Sequence, residues 1–386
     1  MKLKVAERGK ISPFIVMDVM RSANERMASG HDVIHLEVGQ PGNSTPKGVT
    51  KAVTDALASD RLGYTLALGR QELRERIALY YGECYGYKLD AERIAVTAGA
   101  SGAFVLSLLA AFEVGDCVAL ASPSYPAYRN ILSAIGVDPL EVPTGPETNF
   151  QLTPHLLDNL KKTSPIDGVI IASPSNPTGT MLTSAELSSL VSYCSKNQIR
   201  MVSDEIYHGI TYSFKAETAI RYSDDVIVIN SFSKYFSMTG WRLGWIVMPE
   251  ELKRSIECLA QNLFIAPSTL SQIGGLAAFD CKVELEENLK LYSMNRDFIL
   301  SELPKAGFSN LAQADGAFYV YADVSNMTNN SPQLCKNILD QTGVAITPGT
   351  DFDRERGNFY IRISFSGDFL DICEAMKRLK AWNQGN

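Results

Sequence analysis

Short apolar runs ending in polar tips fill the middle of the chain. Runs near residues 94–97, 117–121, 169–172, 199–203, 226–230 and 243–247 are rich in β-branched residues and too short for buried helices. They read as strands covered on both faces. Between about 48 and 280, helical segments alternate with these runs. That alternation predicts an α/β architecture, a mostly parallel sheet between layers of helices. Upstream, Ile15, Val19, Met20 and Met27 fall on one face of an amphipathic helix that starts near Pro13, behind an N-terminal arm. The apolar stretch 103–112 reads as another helix, and Leu285, Leu289, Tyr292, Ile299 and Leu303 predict a long one. After it, 317–321 and 359–363 read as strands of a smaller α+β unit. The expected division is a large domain at 48–285 and a small domain combining 1–47 with 286–386.

The polar tips carry the chemistry. Ser231, Phe232, Ser233 and Lys234 follow the 226–230 run, and Arg242 comes eight residues after the lysine. Open α/β sheets bind ligands beyond the carboxyl ends of their strands. A lysine placed there can form a Schiff base with an aldehyde once its amine loses its proton. Hydroxyls beside an arginine suit a phosphate. Pyridoxal phosphate (PLP) carries both groups, and the plain alternative is a surface lysine on a turn. Ser173-Pro174-Ser175-Asn176-Pro177 is turn chemistry that can also aim an amide at a ligand oxygen. Asp204 ends a further run, where a carboxylate can keep a pyridinium nitrogen protonated. Tyr207, three residues on, can bond a phenolic oxygen.

The order Asn176, Asp204, Tyr207, Lys234, Arg242 at successive strand ends resembles the class I aminotransferases, the aspartate aminotransferase-like branch of fold-type I PLP enzymes. Gly39-Gln40-Pro41, Gly63-Tyr64-Thr65, Thr97-Ala98-Gly99-Ala100-Ser101-Gly102-Ala103, Pro123-Ser124-Tyr125-Pro126 and Tyr360-Ile361-Arg362-Ile363-Ser364 extend the resemblance over nearly the whole chain. It implies a seven-stranded sheet in the large domain and a homodimer with shared active sites. It also implies residue roles. Lys234 would be the Schiff-base lysine and proton carrier, with Asp204 on the ring nitrogen and Tyr207 and Asn176 on the ring's 3-oxygen. Tyr125 would stack on the ring. Gly99, Ala100 and Ser101 would offer backbone N–H groups to the phosphate from a helix start, with Ser231, Ser233 and Arg242 completing the cup. Tyr64 would reach a phosphate across the dimer interface. Arg362 would clamp the substrate α-carboxylate with a two-pronged bond, and Gly39 would let backbone approach the substrate. Aspartate aminotransferases also carry a histidine that buttresses the ring aspartate. Here Tyr128 stands in that loop, so Asp204 needs another support.

The implied reaction moves an amino group between an L-amino acid and a 2-oxoacid in a ping-pong cycle. Aspartate, alanine and aromatic donors all stay open, with Arg21, Arg26, Arg61 and Arg70 as candidate partners for a distal carboxylate. The alternative is a PLP lyase of the same fold, which would release ammonia or another leaving group without an oxoacid acceptor. A PLP-sensing transcription regulator would need a fused basic DNA-binding domain, for which no segment is expected here.

Composition narrows the partners further. A net charge of −7 argues against a nucleic-acid surface. Seven cysteines without regular spacing point to a reducing compartment, and no Cys/His cluster has metal-ligand spacing. Lys2, Lys4, Arg8 and Lys10 precede an apolar stretch that loosely imitates a signal peptide, but Pro13 and Asp18 break it. No run approaches a membrane span. A cytoplasmic enzyme with no membrane or nucleic-acid partner is expected.

Overall fold

The computed structural model describes residues 3–59 and 61–385. Its central sheet has seven strands. Their order is Ile94–Thr97, Gly244–Val247, Ile227–Ser231, Arg200–Asp204, Gly168–Ala172, Cys117–Ser122, Asp138–Pro143. Gly244–Val247 runs antiparallel to both neighbours, and the other six strands run in one direction. The six apolar runs occupy six of these strands, displaced by no more than one residue at either end. The seventh, Asp138–Pro143, is an edge strand with only one fully buried residue, so it lacks the continuous apolar signal of the others.

Alternation along each strand feeds two cores. Val169, Ile171, Val228, Trp245 and Val247 pack into one apolar cluster. Their neighbours Ile170, Ile227, Ile229 and Ile246 pack into another. Both faces are therefore dry, which is why these strands read as unbroken apolar runs.

A second, four-stranded antiparallel sheet joins Thr347–Pro348, Tyr360–Ser364, Tyr319–Asp323 and Asn310–Leu311 in that order. The two strands expected here begin one or two residues later than the sequence suggests, and the two short ones, Asn310–Leu311 and Thr347–Pro348, were not expected. Ala317 takes a left-handed φ of 57°, which keeps it out of the extended run. Ile34–His35 pairs in parallel with Val344–Ala345 and ties the N-terminal region to this part of the chain. The long helix spans Lys282–Glu302 and crosses residue 285 without a break.

The N-terminal helix spans Ile15–Ala28, two residues later than Pro13 predicts. Its buried stripe also differs from the expected one. Val16 and Ala23 are buried, Ile15, Val19 and Met20 are half-buried, and Met27 is 48 % exposed. Ala23 is small enough to seat against Leu339 and Ala345, while the last turn lifts away. Among the described residues, no helix is long and apolar enough to cross a membrane.

Candidate active site

The six co-directional strands end on one side of the sheet. Gly244–Val247 starts there, because Gly244 pairs with both Thr97 and Ser231. A pocket opens at this edge. Its lining includes Gly39, Ala100, Ser101, Tyr125, Asn176, Asp204, Tyr207, Ser231, Ser233, Lys234, Arg242 and Arg362. Two expected residues lie elsewhere. Gly99 sits behind the lining, against the Arg242 guanidinium. Tyr64 is 86 % exposed and does not line the pocket of its own chain.

One end of the pocket is an anion cup. The helix Gly99–Ala111 begins there, four residues before the apolar stretch that announces it, so its first N–H groups lack intrahelical partners. Gly99 has φ +70°, and a Cβ on it would stand 2.5 Å from Arg242 Nη2. A Cβ on Gly244 would stand 2.9 Å from the Gly99 carbonyl carbon and 3.0 Å from Ala100 N. Both glycines therefore serve close approach of helix, strand and arginine. Opposite, Ser231 Oγ donates to Ser233 Oγ at 2.9 Å.

In the middle stand Asp204 and Lys234. Asp204 is 2 % exposed at the tip of its strand. Its Oδ2 accepts from the Tyr128 hydroxyl and its Oδ1 from Ile206 N at 3.1 Å. Tyr128 stands in the first turn of the helix Ala127–Ile135 rather than in the expected loop, and its hydroxyl is the support that Asp204 needs. Both bonded partners are neutral, so burial prevails and pushes the Asp204 carboxyl up to about 6. Lys234 Nζ donates to the Gly39 carbonyl at 2.5 Å. Enclosure by protein, then the positive charge of Arg362, lowers its amine to about 8, against the pull of Asp204. Burial likewise lifts the Tyr125 hydroxyl to about 12. The Tyr125 ring meets Phe14 and Tyr128 edge-on, with centroids 5.7 and 5.4 Å away.

The other end holds Arg362, which is 2 % exposed. Its Nη1 donates to Asn176 Oδ1 at 2.8 Å, and its Nη2 donates to the Glu37 carbonyl. Neither acceptor is a carboxylate, so this arginine is not a strand residue locked in a salt bridge. Its Nε is buried and has no hydrogen-bond partner among the described residues. The guanidinium lies 4.4 Å over the Tyr319 ring and 4.7 Å from the Phe352 ring centre.

Sequence reasoning missed Tyr319. It shares a hydrogen bond of 2.7 Å with Tyr207 and supports Arg362 with its ring. A Cβ on Gly39 would collide with its hydroxyl. Tyr319 lies in a run buried at almost every position, so no inside–outside alternation marks it. Phe14, Val16 and Met17 also line the pocket and were not anticipated. Arg21, Arg26, Arg61 and Arg70 do not line it. Arg21 pairs with Asp18, and Arg70 lies 3.6 Å from Glu72. Among the described residues, no group of His, Cys, Asp and Glu could hold a metal.

These groups fit PLP. A buried carboxylate whose hydrogen-bond partners are all neutral would be stabilised by a ring cation. An unpaired helix start beside an arginine and two serines accepts a phosphate. A lysine with a weakened hold on its proton stands between them.

Comparison with known proteins supplies the family. Residues 31–379 match the model for aminotransferase class I and II, and the chain belongs to that family. It is a PLP-dependent aminotransferase. A curated relative, the valine–pyruvate aminotransferase of Mycobacterium tuberculosis, is 45 % identical over 98 % of this chain and 98 % of its own. The crystal structure of an aminotransferase from Mycobacterium tuberculosis superposes with TM-score 0.97 at 45 % identity, over the whole of both chains. The aspartate aminotransferase of Thermus thermophilus with maleate gives TM-score 0.92 at 27 % identity, covering 98 % of this chain and 100 % of that one.

Proposed function

We propose that this aminotransferase takes amino donors with apolar side chains, with Lys234 carrying the proton and Arg362 holding the α-carboxylate. PLP, when bound, supplies the carbonyl that receives the amino group and a ring that takes up electrons from the α-carbon. Asp204 would hold the ring nitrogen protonated, with Tyr128 and Ile206 N fixing the carboxylate. Tyr207 and Asn176 would bond the ring oxygen, and Tyr125 would cover the ring. Residues 99–101 with Ser231, Ser233 and Arg242 would hold the phosphate. With its amine at about 8, Lys234 is partly unprotonated near neutral pH and able to take the α-proton. Arg362 offers a planar fork to the carboxylate every donor shares. Gly39 keeps the floor thin beside Lys234.

The observation that carries the substrate reading is the wall beside these groups. Phe14, Val16, Met17 and Ile131 line it, and the cations of the pocket are Lys234, Arg242 and Arg362 alone among the described residues. Each of the three has a role above, which leaves none of this chain's own pocket cations for a distal carboxylate. The valine–pyruvate relative supports the same reading. A donor panel with pyruvate as acceptor tests it. Apolar donors should outpace aspartate, and oxoacid should form without free ammonia. Preference for aspartate would overturn the substrate class, and ammonia release would point to a lyase.

The enzyme is further proposed to act as a homodimer in the cytoplasm, with each Tyr64 completing the partner's phosphate cup. Tyr64, Leu66 and Ile265 are each more than half exposed, large apolar side chains of the kind that dimerisation would cover. All seven cysteines are free, as a reducing compartment favours. The proposed domain limits remain 48–285 against 1–47 with 286–386, supported by the separate sheets at 94–247 and 310–364.

A further inference from the structure

Helix Ile15–Ala28 starts without a cap of its own. Phe14 occupies the N-cap position and has no side-chain oxygen to offer. The first N–H groups of a helix need acceptors. Two of them find one carboxylate far away in sequence. Ile15 N donates to Asp351 Oδ1 at 3.0 Å, and Val16 N donates to Asp351 Oδ2 at 3.2 Å. Asp351 is 1 % exposed.

The turn that carries Asp351 is itself fixed. Arg129 Nη2 donates to the Asp351 carbonyl at 2.5 Å, and Ser124 N donates to the Phe352 carbonyl at 3.1 Å. Phe352 also lies against the Arg362 guanidinium. The same few residues thus join the first turn of the helix, the loop of Tyr125 and the proposed carboxylate clamp. The first turn is also the part of the helix that faces the pocket, through Val16 and Met17. Farther along, Ala23 seats independently against Leu339 and Ala345.

We propose that Asp351 is a positioning residue for substrate selection, whose carboxylate holds the first turn of this helix in place as the apolar wall of the pocket. The inference rests on the substrate reading above, and one arm of its test does not depend on any substrate. Asp351→Ala removes both acceptors, while Asp351→Asn keeps one oxygen and should show a smaller effect. Losing a capping carboxylate should free the first turn by roughly five- to thirty-fold. In the PLP-loaded protein without amino acid, the Ile15 and Val16 amides should exchange faster by about that factor in Asp351→Ala. KM for apolar donors should rise by up to that same factor, with kcat changed less than about twofold and the bound cofactor's absorbance unchanged. A purely structural role would lower the melting temperature and leave KM of the folded fraction alone, which would overturn the proposal. Unchanged amide exchange would also overturn it, as would a fall in kcat with KM preserved. If Asp351→Ala does not fold, Asp351→Asn decides by the same readings. If no apolar donor is used by the wild type, the substrate reading fails while the exchange arm still reports on the latch.

Discussion

Replacing Asp204 by asparagine should stabilise the cofactor-free protein at the same time as it disables the enzyme. The buried carboxyl rises from 3.8 to about 6. At about 1.4 kcal/mol per unit, that rise of about 2 units places ~3 kcal/mol against the charged form. A carboxyl whose folded value lies above its unfolded one binds more protons in the native state within that interval. Stability therefore falls as pH rises through the window from 3.8 to about 6, and stays reduced above it. Asparagine removes that penalty but offers one oxygen to two donors, Tyr128 Oη and Ile206 N. The lost acceptor costs about 1 kcal/mol. The variant should thus be about 2 kcal/mol more stable than wild type at high pH, and about 1 kcal/mol less stable once the acid is protonated. Urea unfolding of the cofactor-free proteins at pH 8 and pH 3.5 reads both signs. With PLP loaded, the same change withdraws the charge that would hold the ring nitrogen protonated. Single-turnover reaction with an amino donor should slow by roughly a hundredfold or more, the rate equivalent of ~3 kcal/mol. An asparagine variant less stable than wild type at pH 8 would refute the burial argument. One that keeps the wild-type rate would refute the catalytic one.

Borohydride treatment of the PLP-loaded protein should tether the cofactor to Lys234, read by peptide mapping, and a label on another lysine would displace the central assignment. Arg362→Lys keeps the charge but loses the fork, so KM should rise roughly ten- to a hundredfold for every donor while PLP affinity holds. An effect confined to some donors would move Arg362 away from the shared carboxylate. Mixing impaired Tyr64→Phe chains with inactive Lys234→Ala chains should restore activity, because a hybrid dimer can hold one intact site. Demonstrated subunit exchange without recovery would return Tyr64 to its own surface.

The half of the pocket proposed to hold the cofactor was readable because buried strands write themselves as unbroken apolar runs, and chemistry in an open sheet follows their last residues. Asp204 and Ser231 end such strands and Lys234 follows three residues later, and the six expected strands of the central sheet have boundaries within one residue of the expected place. Tyr64 is different: only the family resemblance singles it out, since its own chain leaves it exposed. The supports were hidden for another reason. Tyr128 acts on a carboxylate 76 positions away, Tyr319 on a phenol 112 positions away, and Asp351 on an amide 336 positions away. No local period encodes such pairs, because each depends on how separate elements meet in the fold. Tyr319 and Arg362 are brought together by the register that sets Tyr319 opposite Ser364 and Tyr321 opposite Arg362. Phe14 and Val16 line the pocket from a helix start whose first N–H groups bond a carboxylate near the far end of the chain. The same separation explains why the cofactor was nameable from motifs and the donor was not. Every enzyme of this class must hold the same ring and phosphate, whereas the donor's side chain meets residues chosen by tertiary contact.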